Sequence, residues 1–107
     1  MGNKESLGLT ERTLNTITSI LERYTSITNA LVFGSRAKGT YKEGSDIDLC
    51  IKTDEAFSHD DFIRLSGDFE ESSLPYFFDI VQYNKITNQN LLEHINQVAV
   101  EIFERKK

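Results

Sequence analysis

The sequence predicts an α+β fold, a small sheet of about three strands covered by helices. Apolar residues recur at helical spacing in three segments, and β-branched or aromatic runs fill three others. The two kinds of segment alternate along the chain. A length of 107 residues, 38% hydrophobic and 27% charged, suits one small domain, residues 1–107, with one compact core.

Taken in order, Thr10 is placed to cap a helix on which Leu14, Ile17, Leu21 and Tyr24 share a face. Ile27 to Phe33 reads as the first strand. Arg36 to Lys38 reads as a short helical turn that stops at Gly39. Ser45 to Lys52 is the second strand. Ser58 is a good helix N-cap, with Asp60 and Asp61 favoured in the first turn by the helix dipole, and Phe62, Leu65 and Phe69 form the apolar stripe. Pro75 breaks the chain, and Tyr76 to Gln82 reads as a third strand. Asn88 is expected to cap a last helix that turns Leu91, Leu92, Ile95, Val98, Ala99, Ile102 and Phe103 inward. Strand order and direction do not follow from these signals.

Two of these strands carry unusual ends. Leu31-Val32-Phe33 runs into Gly34-Ser35, ten residues intervene, and Asp46-Ile47-Asp48 opens the next strand. Residues two apart on a strand share a face, so Asp46 and Asp48 point one way while Ile47, Leu49 and Ile51 point the other, into a core. Two adjacent carboxylates repel unless a cation lies between them, and hard oxygen ligands suit Mg²⁺. Asp79 interrupts the apolar run Phe77-Phe78-Asp79-Ile80-Val81 and is costly to bury alone. It is either an exposed edge residue or the partner of a lysine, or else a third carboxylate at the same cation site. Three carboxylates on two strands can hold two magnesium ions ~4 Å apart. Gly34-Ser35 is either an ordinary strand-ending turn or a phosphate cradle. A cradle needs glycine for close backbone approach, and free N–H groups attract anions. Arg36 and Lys38 are most simply solvated charges, and Arg36 is the better phosphate candidate because it lies in the turn. A phosphate cradle beside a magnesium site points to nucleotide chemistry.

Other chemistries fit poorly. Cys50 shares the face of Asp46 and Asp48, but a lone cysteine is usually packing. One cysteine with His59 and His94 scattered lacks zinc-ligand spacing. An EF-hand counted from Asp46 puts Cys50 at position five and Phe57 where a bidentate Glu belongs. Neither histidine has a nucleophile in a hydrolase setting. A net charge of −5 argues against holding a long nucleic acid by its phosphates. No apolar run is long enough to span a membrane, and no signal-peptide stretch opens the chain. Met1-Gly2-Asn3-Lys4-Glu5-Ser6 fits the loose myristoylation pattern. A single cysteine excludes an internal disulfide and fits a reducing cytoplasm.

The joint pattern of Gly34-Ser35, Asp46-Ile47-Asp48 and a later strand with Asp79 resembles the DNA polymerase β-type nucleotidyltransferase superfamily. Gly34-Ser35-Arg36-Ala37-Lys38-Gly39 with Gly44-Ser45-Asp46-Ile47-Asp48-Leu49 most resembles its smallest members, the minimal nucleotidyltransferases. The resemblance runs from about Thr10 to the C-terminus. It implies a small mixed sheet with helices on one side, and transfer of a nucleoside monophosphate, AMP from ATP, with pyrophosphate leaving. It implies that Gly34 and Ser35 hold the β- and γ-phosphates and that Asp46 and Asp48 bind two Mg²⁺ ions. Asp79 is implied as ligand of the metal that activates the acceptor hydroxyl and in removal of its proton. Larger relatives carry a further domain for base and acceptor, for which this chain is expected to have no room. Many minimal nucleotidyltransferases pair with a HEPN protein, a helical ribonuclease toxin, as antitoxins, and some adenylylate a tyrosine of the toxin. A hetero-oligomer is the corresponding expectation. An inactive antitoxin that neutralises by contact, and transfer to a small molecule such as an aminoglycoside, are the alternatives. Glycosyltransferases with a metal-binding Asp-x-Asp need a much larger domain.

Overall fold

The caps and apolar spacings act where the sequence places them. The computed structural model describes residues 4–106; Met1–Asn3 of the myristoylation pattern, and Lys107, lie outside the described residues. Thr10 accepts from the Thr13 N–H at 3.1 Å and starts helix α1, Glu11–Glu22, which buries Ile17, Ile20 and Leu21. Strand β1 is Ile27–Phe33. One short turn of helix, α2, covers Gly34–Lys38 and stops at Gly39, whose φ of 78° is left-handed. Strand β2 is Ile47–Thr53. Ser58 and Asp61 form a reciprocal capping box at the start of α3, His59–Glu71. Strand β3, Phe78–Gln82, begins two residues later than Tyr76, and Asn88 caps α4, Gln89–Val98.

The last element departs from expectation. The final helix ends at Val98, Ala99 turns to extended backbone with ψ of 144°, and Val100–Glu104 is a fourth strand, β4. Ile102 and Phe103 therefore lie on a strand, not on a helix. In the sheet Val100 and Ile102 are buried while Glu101 and Glu104 are exposed, an alternation of two rather than a helical stripe. Pairing with β1 satisfies a sheet edge, which a helical continuation cannot do.

The sheet order is β3-β2-β1-β4, and the count is four strands instead of about three. β1 runs antiparallel to both β2 and β4, while β2 and β3 are parallel, as α3 between them allows. Alternation then sorts side chains to two faces. Ile47, Leu49 and Ile51 of β2 join Ile17, Leu21, Leu65 and Phe69 of α1 and α3 in the main core. The opposite face carries a smaller core, in which Phe33 and Cys50 pack with Ile95 of α4. Helices thus lie on both sides of the sheet, a correction to the one-sided arrangement that the resemblance implied. The face of Asp48 is half covered by α4, which leaves the acids at its margin.

Candidate active site

Strand register assembles the site. Phe33 pairs with Asp48, and Asp48 pairs with Asp79 across the parallel strands. The Gly34 turn, Asp48 and Asp79 therefore stand at one level of three neighbouring strands. Asp46 sits just before β2 and is exposed; Asp48 is half-buried; Asp79 is exposed on the edge strand β3. Val81 joins the smaller core, so Asp79, two residues earlier, shares the face of Asp48. The two readings of Asp79 are compatible, since it is an edge residue and also faces the acids.

Electrostatics report the same crowding. The Asp48 carboxyl is held above the usual carboxylate range, first by burial, then by the negative charges of Asp79 and Asp46, with His94 pulling the other way. A cation relieves such repulsion, and the donors are hard oxygens of the kind Mg²⁺ takes. Among the described residues, no three of His, Cys, Asp and Glu are drawn together closely enough to hold a metal ion as they stand. The donor set suits a magnesium ion in its chemistry, but it is not preassembled.

Gly34 is required by its place. Its φ is 74°, and a Cβ there would collide with the Asp48 carboxylate. Backbone and carboxylate therefore approach as only glycine permits. Ser35 follows in the first turn of α2, half-buried. The Gly34 N–H donates to His94 Nε2 at 3.1 Å, and the His94 ring meets Phe33 edge-on at 6.1 Å between centroids.

Arg36 is a correction. It is 2% exposed, and its guanidinium donates to the carbonyls of Leu7 at 3.0 Å and Ser45 at 3.0 Å. The rings of Tyr41 and Tyr76 each lie 5.0 Å from it. Its donors are spent on backbone, so it does not present them to a phosphate. It fixes the carbonyl of Ser45, one residue before Asp46, and through Tyr76 the approach to β3. Arg36 thus ties the segment before β2 to the segment before α1.

The lack of zinc-ligand spacing says nothing of His94's place in the fold: Leu91, His94, Ile95 and Val98 fall three and four apart on α4, which puts His94 on the inward face. Cys50 is fully buried, and burial raises its thiol to about 11 against the pull of Lys52. Two concavities, about 410 and 550 Å³, flank the edge strand β3, lined among others by Phe69, Phe77 and Ile80, and by Phe62, Val81 and Leu91. Neither of the two is lined by Asp46, Asp48 or Asp79.

A turn that only glycine can make, against a carboxylate flanked by two more, is the constellation that the family comparison meets. The family model described as polymerase beta, nucleotidyltransferase matches residues 15–107. The chain belongs to this nucleotidyltransferase family. It is 34% identical over 104 residues to the "probable protein adenylyltransferase MntA" of Haemophilus influenzae, covering 94% of this chain and 88% of that protein. Among solved structures, a toxin–antitoxin complex with AMP-PNP contains a chain that superposes with a TM-score of 0.71 at 19% identity, over 87% of this chain and 74% of that one. A second, described as the toxin–antitoxin MntA–HepT, gives a TM-score of 0.58 at 14% identity, over 90% and 74%. These two structures share the nucleotidyltransferase fold. Among the described residues, no helix is long and apolar enough to cross a membrane.

Proposed function

We propose that this nucleotidyltransferase moves AMP from ATP onto a hydroxyl of a partner protein, a tyrosine of a HEPN ribonuclease toxin, and so acts as an antitoxin. The observation that carries the reading is the Gly34 turn against Asp48, with Asp79 in register beside it. The relative from Haemophilus influenzae, described as a protein adenylyltransferase, and the toxin–antitoxin assemblies of the same fold support it.

In this reading Gly34 and Ser35 hold the β- and γ-phosphates with backbone N–H groups and the Ser35 hydroxyl. Asp46, Asp48 and Asp79 would hold Mg²⁺ as two ions. Bound there, magnesium neutralises phosphate charge and favours departure of pyrophosphate. The acceptor oxygen bonds to the α-phosphorus, the bond to the bridging oxygen of the β-phosphate breaks, and Asp79 takes the acceptor proton at its carboxylate. Asp79 suits that task because it lies exposed at the sheet edge. Holding acceptor and phosphorus in line is worth several kcal/mol of barrier, on the order of 7–11 at best.

The surface beside Asp79 favours a protein acceptor over a small one. Phe77, two residues before it, is 84% exposed. An exposed phenylalanine beside an open acid is suited to a protein partner. The test is mass spectrometry of a co-expressed HEPN partner after incubation with ATP and Mg²⁺. AMP should appear on the partner, and Asp79→Asn should abolish it while partner binding persists. Full protection of cells by Asp79→Asn, with no modified partner, would favour neutralisation by contact and overturn the proposal.

A further inference from the structure

The proposed nucleotide site leaves one of its polar contacts without a role. His94 lies on α4, and its Nε2 accepts the Gly34 N–H at 3.1 Å. A ring nitrogen accepts only through its lone pair, so Nε2 is the acceptor side of the ring in this contact. Edge-on packing against Phe33 fixes the ring in that direction. Phe33 is buried at 6% exposure and anchored in the smaller core with Ile95, the next residue of α4. The contact is therefore built from both elements and is not a chance approach of a surface side chain.

The N–H that His94 engages is the one that the nucleotide reading directs at a phosphate. A single N–H does not serve two acceptors at full strength. We propose that His94 is a positioning residue of the triphosphate site: it holds the Gly34 N–H until triphosphate arrives and then yields it to a phosphate oxygen. This rests on the nucleotide reading above. The exchange favours phosphate, because hydrogen bonds to an ionised acceptor are roughly twice as strong as neutral ones. It also selects its ligand: a neutral oxygen competes with imidazole on even terms, whereas an anionic oxygen displaces it. Until then the contact satisfies the Gly34 N–H, which would otherwise have to be hydrated in a half-buried turn.

The experiment is calorimetric titration of the whole chain with ATP and Mg²⁺, for the wild type, His94→Phe and His94→Gln. Phenylalanine keeps a ring against Phe33 but offers no acceptor. Glutamine restores an acceptor oxygen. His94→Phe is expected to bind ATP about two- to tenfold more tightly, the worth of one displaced hydrogen bond, and His94→Gln is expected to return toward the wild type. Unchanged or weaker binding by folded His94→Phe overturns the proposal. A second readout needs no variant. In nitrogen-15 NMR of the wild type, the Gly34 amide and His94 Nε2 resonances should move together as ATP saturates. Saturation with no change at His94 Nε2 overturns the proposal while leaving the nucleotide site standing. A wild type that binds no ATP overturns both.

Discussion

Asp48 shows how one residue carries both the cost and the use of this site. Its carboxyl titrates above the ordinary carboxylate range because burial and two neighbouring acids penalise its charge. A carboxyl whose folded value is raised contributes stability below the unfolded value, about 3.9, and loses it as pH rises through the folded value. At neutral pH ionised Asp48 therefore opposes folding. Asp48→Asn should raise the melting temperature at pH 7 by a few degrees, and the difference should close as pH falls toward 4. Mg²⁺ should raise the melting temperature of the wild type more than that of the variant. Thermal melts across pH, with and without Mg²⁺, check both. A variant less stable than the wild type at pH 7 would mean that Asp48 is tied into the fold by contacts that outweigh the repulsion. The cost is of the kind that active sites commonly carry.

At the scale of elements, β4 ties the end of the chain to its beginning. Arg105, just past β4, donates from Nε to the carbonyl of Ile27 at 2.9 Å and from Nη2 to that of Tyr24 at 3.0 Å. It also reaches the carbonyls of Leu21 and Glu22, at 3.5 and 3.4 Å, in the last turn of α1. A cation there meets the negative end of the helix dipole as well as orphan carbonyls. Arg105→Ala should cost about 1–3 kcal/mol, which in a domain of this size lowers the melting temperature by about 4 °C or more. ATP affinity should not change, since α1 packs on the face away from the acids. Denaturant melts paired with ATP titration check this. A loss of affinity without a loss of stability would show that the far face reaches the site.

For the whole molecule, the two cores are unequal, and the smaller one lies on the acid-bearing face beside the site. Cys50 lies in it at 0% exposure, with its thiol raised to about 11. Both burial and the scarcity of thiolate at neutral pH protect it. Alkylation at pH 7.5 should be negligible over an hour in buffer and complete in urea. Mass spectrometry after quenching reads the result. Prompt alkylation in buffer would mean that α4 opens on its own, independently of global unfolding. ATP with Mg²⁺ should slow any residual reaction, because a ligand of the native state lowers the population of open forms.

Local signals carried most of this architecture. Thr10, Ser58 and Asn88 cap the three longer helices, as their types and positions predict. Alternation places Asp48 opposite Ile47 and Leu49, and the paired motif of Gly34-Ser35 and Asp46-Ile47-Asp48 marks the nucleotidyltransferase family. These features are legible because caps, strand alternation and glycine turns act over a few residues. The structure alone decided what depends on partners distant in sequence. Val100–Glu104 became a strand because β1 offered an edge to pair with. Arg36 turns inward to the carbonyls of Leu7 and Ser45, 29 and 9 residues away. His94 met the Gly34 turn 60 residues before it, since α4 folds back over the acid-bearing face. Such contacts leave no local pattern, because a buried cation or imidazole is satisfied by whichever backbone the topology brings to it.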